Sequence, residues 1–322
     1  MGSKKKQIQQ NKSKNKINRI RWISIIVILA VIVAGAFTLI KGKSNTSAVE
    51  FMDIHGLGFT KTESKIYVPA HDGLKVYENG VWKEGNGEGN DYMGFSMVND
   101  GFYSSGHPGT NSSKKNPLGI VKSTDMGKSL DILNLYGEID FHGLTVGYNT
   151  HAIYVINPET NSKMKDTGLY YSLDDTKTWK KSNMNGIEGQ ISALAAHPNN
   201  DKVIVISTNK GIFTSKDNGN TFNKVLDDPT TAISFSEQGK LIAGSISSQL
   251  KLIDLETNEA TNITIPSLEK DDAIGYIAVN PKNEKHIAYT TFTKNIYMSE
   301  DQGKNWLKLA DEGKGINKKK EK

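Results

Sequence analysis

From about residue 50 onward, short apolar stretches with β-branched and aromatic residues alternate with turn-forming polar clusters, and the pattern recurs. The runs GIVKS, GLYYS, GIFTS and NIYMS each lead into a polar turn and then an aromatic or apolar residue. The four turns are Ser123–Leu130, Ser172–Trp179, Ser215–Phe222 and Ser299–Trp306, with Asp125, Asp174, Asp217 and Asp301 at one shared position. Such a segment reads as a β-hairpin: the Asp carboxylate accepts from turn N–H groups, and Gly or a tolerant residue supplies positive φ. These four Asp are therefore structural.

The Asp-to-Asp spacings are 49, 43 and 84 residues, and 84 is twice 42. A degenerate copy is expected near residue 259, where KLIDLETNEATNITI supplies two strands around Glu256-Thr257-Asn258. One period before Asp125, Tyr77-Glu78-Asn79-Gly80-Val81-Trp82 reads as a two-residue Asn-Gly hairpin. A second element repeats as well: Ala196-His197-Pro198 to Ile204 matches Val279-Asn280-Pro281 to Ile287, as turns between first and second strands. Six units of four strands follow, at 50–88, 89–138, 139–187, 188–228, 229–270 and 271–312, a period that predicts an all-β propeller of six four-stranded blades.

A different pattern occupies the N-terminus. Trp22–Ile40 is a 19-residue apolar run, long enough as a helix to cross a hydrocarbon core of about 30 Å. Ten Lys/Arg and no acid lie in residues 1–43, eight of them before Trp22. By the positive-inside rule residues 1–21 form a basic cytoplasmic tail, 22–40 a transmembrane anchor, and 41–49 a linker to an extracytoplasmic domain at 50–312. Residues 313–322 read as a Lys-rich C-terminal tail. The alternative for 22–40 is a signal h-region cleaved near Ala34-Gly35-Ala36, which would release the protein. Its length and the lack of a lipid-accepting cysteine favour a single-pass anchor at the cell membrane.

The formal charge of +5 belongs to that tail. Without its ten basic residues, 30 Lys/Arg face 35 Asp/Glu, a mildly acidic body that argues against nucleic acid as a partner. With no cysteine, disulfides, thiolate metal sites and cysteine nucleophiles are excluded.

The turn pattern S-x-D-x-G-x-[T/S/N]-[W/F] resembles the Asp-box, or bacterial neuraminidase repeat, of sialidases, xyloglucanases and sortilin-like propellers. The segments DIHGLGF, PAHDGL, DYMGFS and SSGHP also resemble bacterial membrane-anchored propellers grouped with glycosyl hydrolases. The resemblance implies the fold more than the activity. Sialidases carry an arginine cluster that forks onto the substrate carboxylate, whereas the only arginines here are Arg19 and Arg21, ahead of the apolar run. A sialidase activity is excluded on that ground.

In a four-stranded blade the connection into the first strand and the loop between the second and third share one face, opposite the Asp turns. Three first strands begin alike, with Asp53-Ile54-His55, Asp91-Tyr92-Met93 and Asp140-Phe141-His142, while the later blades start with Gln190 or with small and apolar residues. Loops after the second strands add His71 and His107. The expected site is this face of blades 1–3: His55, His71, Tyr92, Met93, His107 and His142 as ligand-binding residues. No cofactor is required by the sequence, but the four histidines could hold a divalent metal or copper. Asp53, Asp91 and Asp140 are the candidate carboxylates of a non-sialidase glycoside hydrolase. The lead expectation is a binding module for a surface protein, peptide, glycan or metal; oligomeric state is left open. His151, His197 and His286 fall on first-to-second-strand turns and read as structural.

Overall fold

The computed structural model describes residues 49–61, 65–245 and 249–318. The expected anchor at 22–40 and its basic tail lie outside the described residues. Among the described residues no helix is long and apolar enough to cross a membrane.

Six antiparallel sheets follow one another along the chain. Their strands are β1 (Gly58–Phe59), β2 (Ile66–Ala70), β3 (Gly73–Glu78), β4 (Val81–Glu84); β5 (Asp91–Val98), β6 (Gly101–His107), β7 (Ile120–Ser123), β8 (Asp131–Asn134); and β9 (Leu144–Val146), β10 (Ile153–Asn157), β11 (Gly168–Ser172), β12 (Lys180–Lys181). Then come β13 (Ile191–Ala196), β14 (Ile204–Thr208), β15 (Gly211–Ser215), β16 (Asn223–Leu226); β17 (Thr230–Phe235), β18 (Leu241–Ser245), β19 (Gln249–Ile253), β20 (Ala260–Ile263); and β21 (Ile274–Asn280), β22 (Asn283–Thr291), β23 (Ile296–Ser299), β24 (Leu307–Asp311), β25 (Lys314–Gly315). Within each sheet the strands lie in sequence order. The innermost strands β1, β5, β9, β13, β17 and β21 touch in succession, and β21 returns to β1. The protein is a six-bladed β-propeller.

Each blade is buried on both faces, which is why the second and third strands read as continuous apolar runs. Six separate apolar clusters fill the six spaces between neighbouring blades; Tyr67, Leu74, Val76, Tyr92 and Phe102, for example, lie between the first and second, and Val98, Tyr103, Ile120, Phe141 and Ile153 between the second and third.

The four Asp turns share one network. In the second blade Ser123 Oγ donates to Asp125 Oδ1 (2.9 Å), Ser129 N to the same oxygen (2.9 Å), and Gly127 N to Ser123 Oγ (2.8 Å). The two residues after each Asp adopt positive φ: Met126 and Gly127, Asp175 and Thr176, Asn218 and Gly219, Gln302 and Gly303. The degenerate fifth copy caps its turn more simply, with Asp254 Oδ1 accepting from Glu256 N and Thr257 N. In the first blade, Asn79 and Gly80 take φ of 52° and 82°, as the two-residue hairpin requires.

The C-terminal segment departs from the expected tail. Lys314–Gly315 form β25, a fifth strand on the last sheet, which bridges to Glu50 on its other side. Phe51 N donates to Gly313 O (2.7 Å) and Gly315 N to Val49 O (2.8 Å). Residues 49–51 and 313–315 thus meet between blades 6 and 1. Trp82 closes the seam, its indole donating to Leu309 O (2.7 Å) and its backbone N–H to Asn317 Oδ1 (2.7 Å).

Candidate functional site

A central channel of about 730 Å³ runs along the innermost strands. One end carries the first-to-second-strand turns, with Tyr148, Pro198, Glu237 and Pro281. The other carries the loops expected to hold a site, with Asp53, His55, Phe95, His142, Tyr276 and Phe292 in its wall.

At that loop end the predicted histidines and carboxylates sort into two groups. Asp91 opens β5 and pairs in register with His107, the last residue of β6. Ahead of β1, residues 54–55 run alongside β2 through an Ile54–Ala70 bridge and a His55 N to Pro69 O bond (3.0 Å). This extended stretch brings His55 Nε2 to 3.3 Å from Asp91 Oδ1. His71 occupies the two-residue turn between β2 and β3, its Nδ1 2.7 Å from Asp91 Oδ2. Behind that turn the Lys75 ammonium, with 1% exposure, is held by Asp72 (2.9 Å) and Glu84 (2.7 Å). A buried charge with two partners at this distance ties the His71 turn to the blade.

The second group centres on Asp140. His142 Nε2 lies 2.9 Å and His107 Nε2 3.4 Å from the same oxygen, Asp140 Oδ2. Asn116 Oδ1 accepts from His107 Nδ1 (2.6 Å) and so orients the ring. Ser105 Oγ accepts from Phe141 N (2.9 Å) and donates to Gly119 O (2.7 Å), which pins the entry to the third blade against the second. The loop of residues 108–119 is held at its start by Gly109 N donating to Asn90 Oδ1 (2.9 Å).

Three buried atoms in these groups have no hydrogen-bond partner: His55 Nε2, Asp91 Oδ1 and Asp140 Oδ1. The first two face each other closely enough to count as an ion pair, yet are not aligned for a hydrogen bond. Buried polar atoms left this way in a well-ordered fold call for an account.

Two predicted ligand residues lie elsewhere. Tyr92 is 1% exposed, stacks edge-on against Phe102 (5.4 Å), and accepts from Asn90 Nδ2 (3.1 Å). It alternates to the side opposite Asp91 and belongs to the core between blades 1 and 2. Met93 is likewise buried and outside the channel wall; the register of β5 shifts between Met93 and Ser96, where Gly94 adopts a φ of 54°. The pairing is regular from Asp91 to Met93 and the bulge lies beyond both, so Met93 keeps the side it was assigned and differs from the expectation in being packed in the interior. Of the candidate carboxylates, Asp53 is exposed, whereas the Asp91 and Asp140 side chains are 7% and 12% exposed. Among the aromatics, Phe95 lines the channel, while Phe102, Tyr103 and Phe141 are buried.

The sixth blade contributes what the sequence reading missed. Tyr276 on β21 is 39% exposed and Phe292, just after β22, is 63% exposed, both in the channel wall. Crowding by the surrounding wall raises the Tyr276 phenol above its ordinary value, with the nearby Asp53 carboxylate adding to it. The signal was the aromatic that breaks the small, apolar start of the last first strand.

His151 and His197 each make a hydrogen bond at the turns between first and second strands. His151 Nε2 meets Asn99 Oδ1 (2.9 Å), and Asn199 N donates to His197 Nδ1 (3.1 Å).

No protein-family model and no curated protein matches the chain by sequence. Solved structures match by fold. A GH74 enzyme from Niastella koreensis superposes with a TM-score of 0.54 at 16% identity, covering 81% of this chain and 46% of its own. A gluconolactonase from Xanthomonas campestris gives 0.56 at 11%, covering 78% and 86%. The extracellular domain of BT4673 of B. thetaiotaomicron, described as a putative hybrid two component system, gives 0.50 at 11%, covering 83% and 34%. The chain spans less than half of the GH74 enzyme. These likenesses establish the propeller and not an activity.

Proposed function

We propose that this protein is a glycan-binding propeller, displayed outside the membrane on an anchor at residues 22–40, with its site at the loop end of the channel. The observation that carries the reading is the pair of exposed rings Tyr276 and Phe292, which share a channel wall with Asp53, His142 and Lys294. Exposed aromatic faces beside carboxylate, imidazole and ammonium groups suit a sugar, whose apolar ring face stacks while its hydroxyls hydrogen-bond. The basic N-terminus and 19-residue apolar run support the anchor. The four Asp turns support a place among the Asp-box propellers.

Hydrolysis is the weaker reading. A glycosidase needs two carboxylates that reach the scissile bond from either side. Asp53 is accessible, but Asp91 and Asp140 are enclosed, each between two imidazoles. The likeness to GH74 enzymes adds nothing to this, being one of fold.

The test is calorimetric titration of the full chain in detergent with xyloglucan and cello-oligosaccharides, alongside an assay for new reducing ends. Saturable binding is expected, weakened about tenfold by Phe292→Ala, with no reducing ends released. Absence of binding to every oligosaccharide would overturn the reading. Release of reducing ends that stops in Asp53→Asn would replace it with a hydrolase.

A further inference from the structure

At the same end of the channel, one ring nitrogen each of His55 and His71 and an Asp91 oxygen lie within 4.8 Å of one another. Among the described residues this is the one group of three such ligands so placed. We infer that these three residues bind one divalent transition-metal ion of the zinc class, with a coordination position left for water or a ligand.

Two imidazoles and a carboxylate make a donor set that zinc takes at three-ligand sites. Metal bonds of about 2.0–2.2 Å in tetrahedral geometry place two ligands roughly 3.3–3.5 Å apart. The His55 Nε2 to Asp91 Oδ1 separation is 3.3 Å, and both atoms are buried without a hydrogen-bond partner. Two buried polar atoms without a hydrogen bond at that distance are what a shared cation would reconcile. Asp91 itself is 5% exposed, so water does not solvate its free oxygen from outside. The third ligand is the adjustable one: His71 has a side-chain exposure of 62% and touches the other carboxylate oxygen. A small rotation of this exposed ring would exchange that contact for a metal bond.

The supports around the ligands are those of a built site. His55 is fixed by its backbone bond to Pro69, and the His71 turn by Lys75 through Asp72. The neighbouring group lacks this convergence. Both of its imidazoles approach one oxygen of Asp140, His107 is engaged by Asn116, and His142 has a side-chain exposure of 72%. Sequence reasoning had pooled all four histidines; the geometry separates His55 and His71 with Asp91 from His107 and His142.

The inference stands apart from the glycan reading and is tested apart from it. The full chain, stripped with EDTA, is titrated with Zn²⁺ by calorimetry and with Co²⁺ by visible absorption. One equivalent of each is expected, with the intense bands of a four-coordinate cobalt ion and a rise in Tm on zinc addition. Loss of a partner that merely orients a ligand costs 10–100-fold in affinity, so His55→Ala and Asp91→Asn should lose about a hundredfold or more. His71→Ala removes an exposed ring and leaves the metal-free Tm unchanged while weakening zinc, which separates ligand loss from misfolding. Phe292→Ala, His107→Ala and His142→Ala should bind zinc as the parent does. A stripped chain that takes up no zinc, or binding equal in the parent and all three ligand variants, overturns the proposal.

Discussion

Asp125, Asp174 and Asp301 each accept three hydrogen bonds from their own turns, which holds each carboxyl down at about 2, chiefly through the Ser129 amide, the Thr178 hydroxyl and the Asn305 amide in turn. A carboxyl depressed in the fold contributes stability that is complete above its unfolded value near 3.8 and is lost as pH falls toward 2. His151 and His197 behave as a second set. Burial pushes both imidazoles below the ordinary 6.5, so the fold prefers them neutral. Their contribution is complete above about pH 6.5 and declines below it as the unfolded chain takes up protons first. Tm measured against pH should therefore fall in two stages, one setting in below about 6.5 and one below about 4. Asp301→Ala should lower Tm at pH 7 and change it far less at pH 2. His197→Gln should flatten the first stage; a Tm that tracks the parent at every pH would show that neither group is linked to folding.

At the scale of the strand and its turn, most of the fold was legible because one residue type had to recur wherever the same backbone recurred. The Ser-x-Asp turns, the Asn79-Gly80 hairpin and the Pro198 and Pro281 turns each reported a local geometry that local residues determine. The candidate site was less legible than the fold. His55, His71, His107 and His142 lie on the loops assigned to them, whereas Met93 is buried, because burial in β5 depends on packing against β6 and β9 that local sequence does not name. Tyr276 and Phe292 escaped for a related reason: exposure is a property of the ring, and a lone aromatic in a strand reads as core. Gly106 shows how tightly β5 and β6 are set against each other. Its φ is +119°, and a Cβ there would stand 2.0 Å from the Asp91 carbonyl. Gly106→Ala should push the strands apart beside both Asp91 and His107, costing about 1–3 kcal/mol by urea unfolding and weakening zinc binding. Wild-type stability and zinc affinity together in this variant would mean that strand spacing does not set the site.

Closure of the ring is where the sequence was least informative, because the contacts join residues more than 200 positions apart. Nothing in Gly313–Lys318 matches the repeat, and its lysines read as a solvated tail. In the fold this segment lies between the first and last blades, β25 pairing with β24 on one side and bridging Glu50 on the other. Beyond it Asn317 accepts from Trp82 N, and Lys318 N donates to Gly80 O (2.8 Å). A propeller lacking this seam would expose the Phe51, Trp82 and Leu309 cluster between blades 6 and 1. Ending the chain after Glu312 removes six backbone-donated bonds, from Phe51, Trp82, Gly313, Gly315, Ile316 and Lys318. At about 1 kcal/mol each for a typical bond, the loss is about 4–6 kcal/mol. Ending it after Lys318 removes none of them. Urea unfolding of the two truncations, followed by tryptophan fluorescence to report on Trp82, separates the cases. The shorter chain should unfold at a clearly lower midpoint and the longer one with the parent; equal midpoints for all three would mean that blade packing alone holds the ring, and the seam merely covers it.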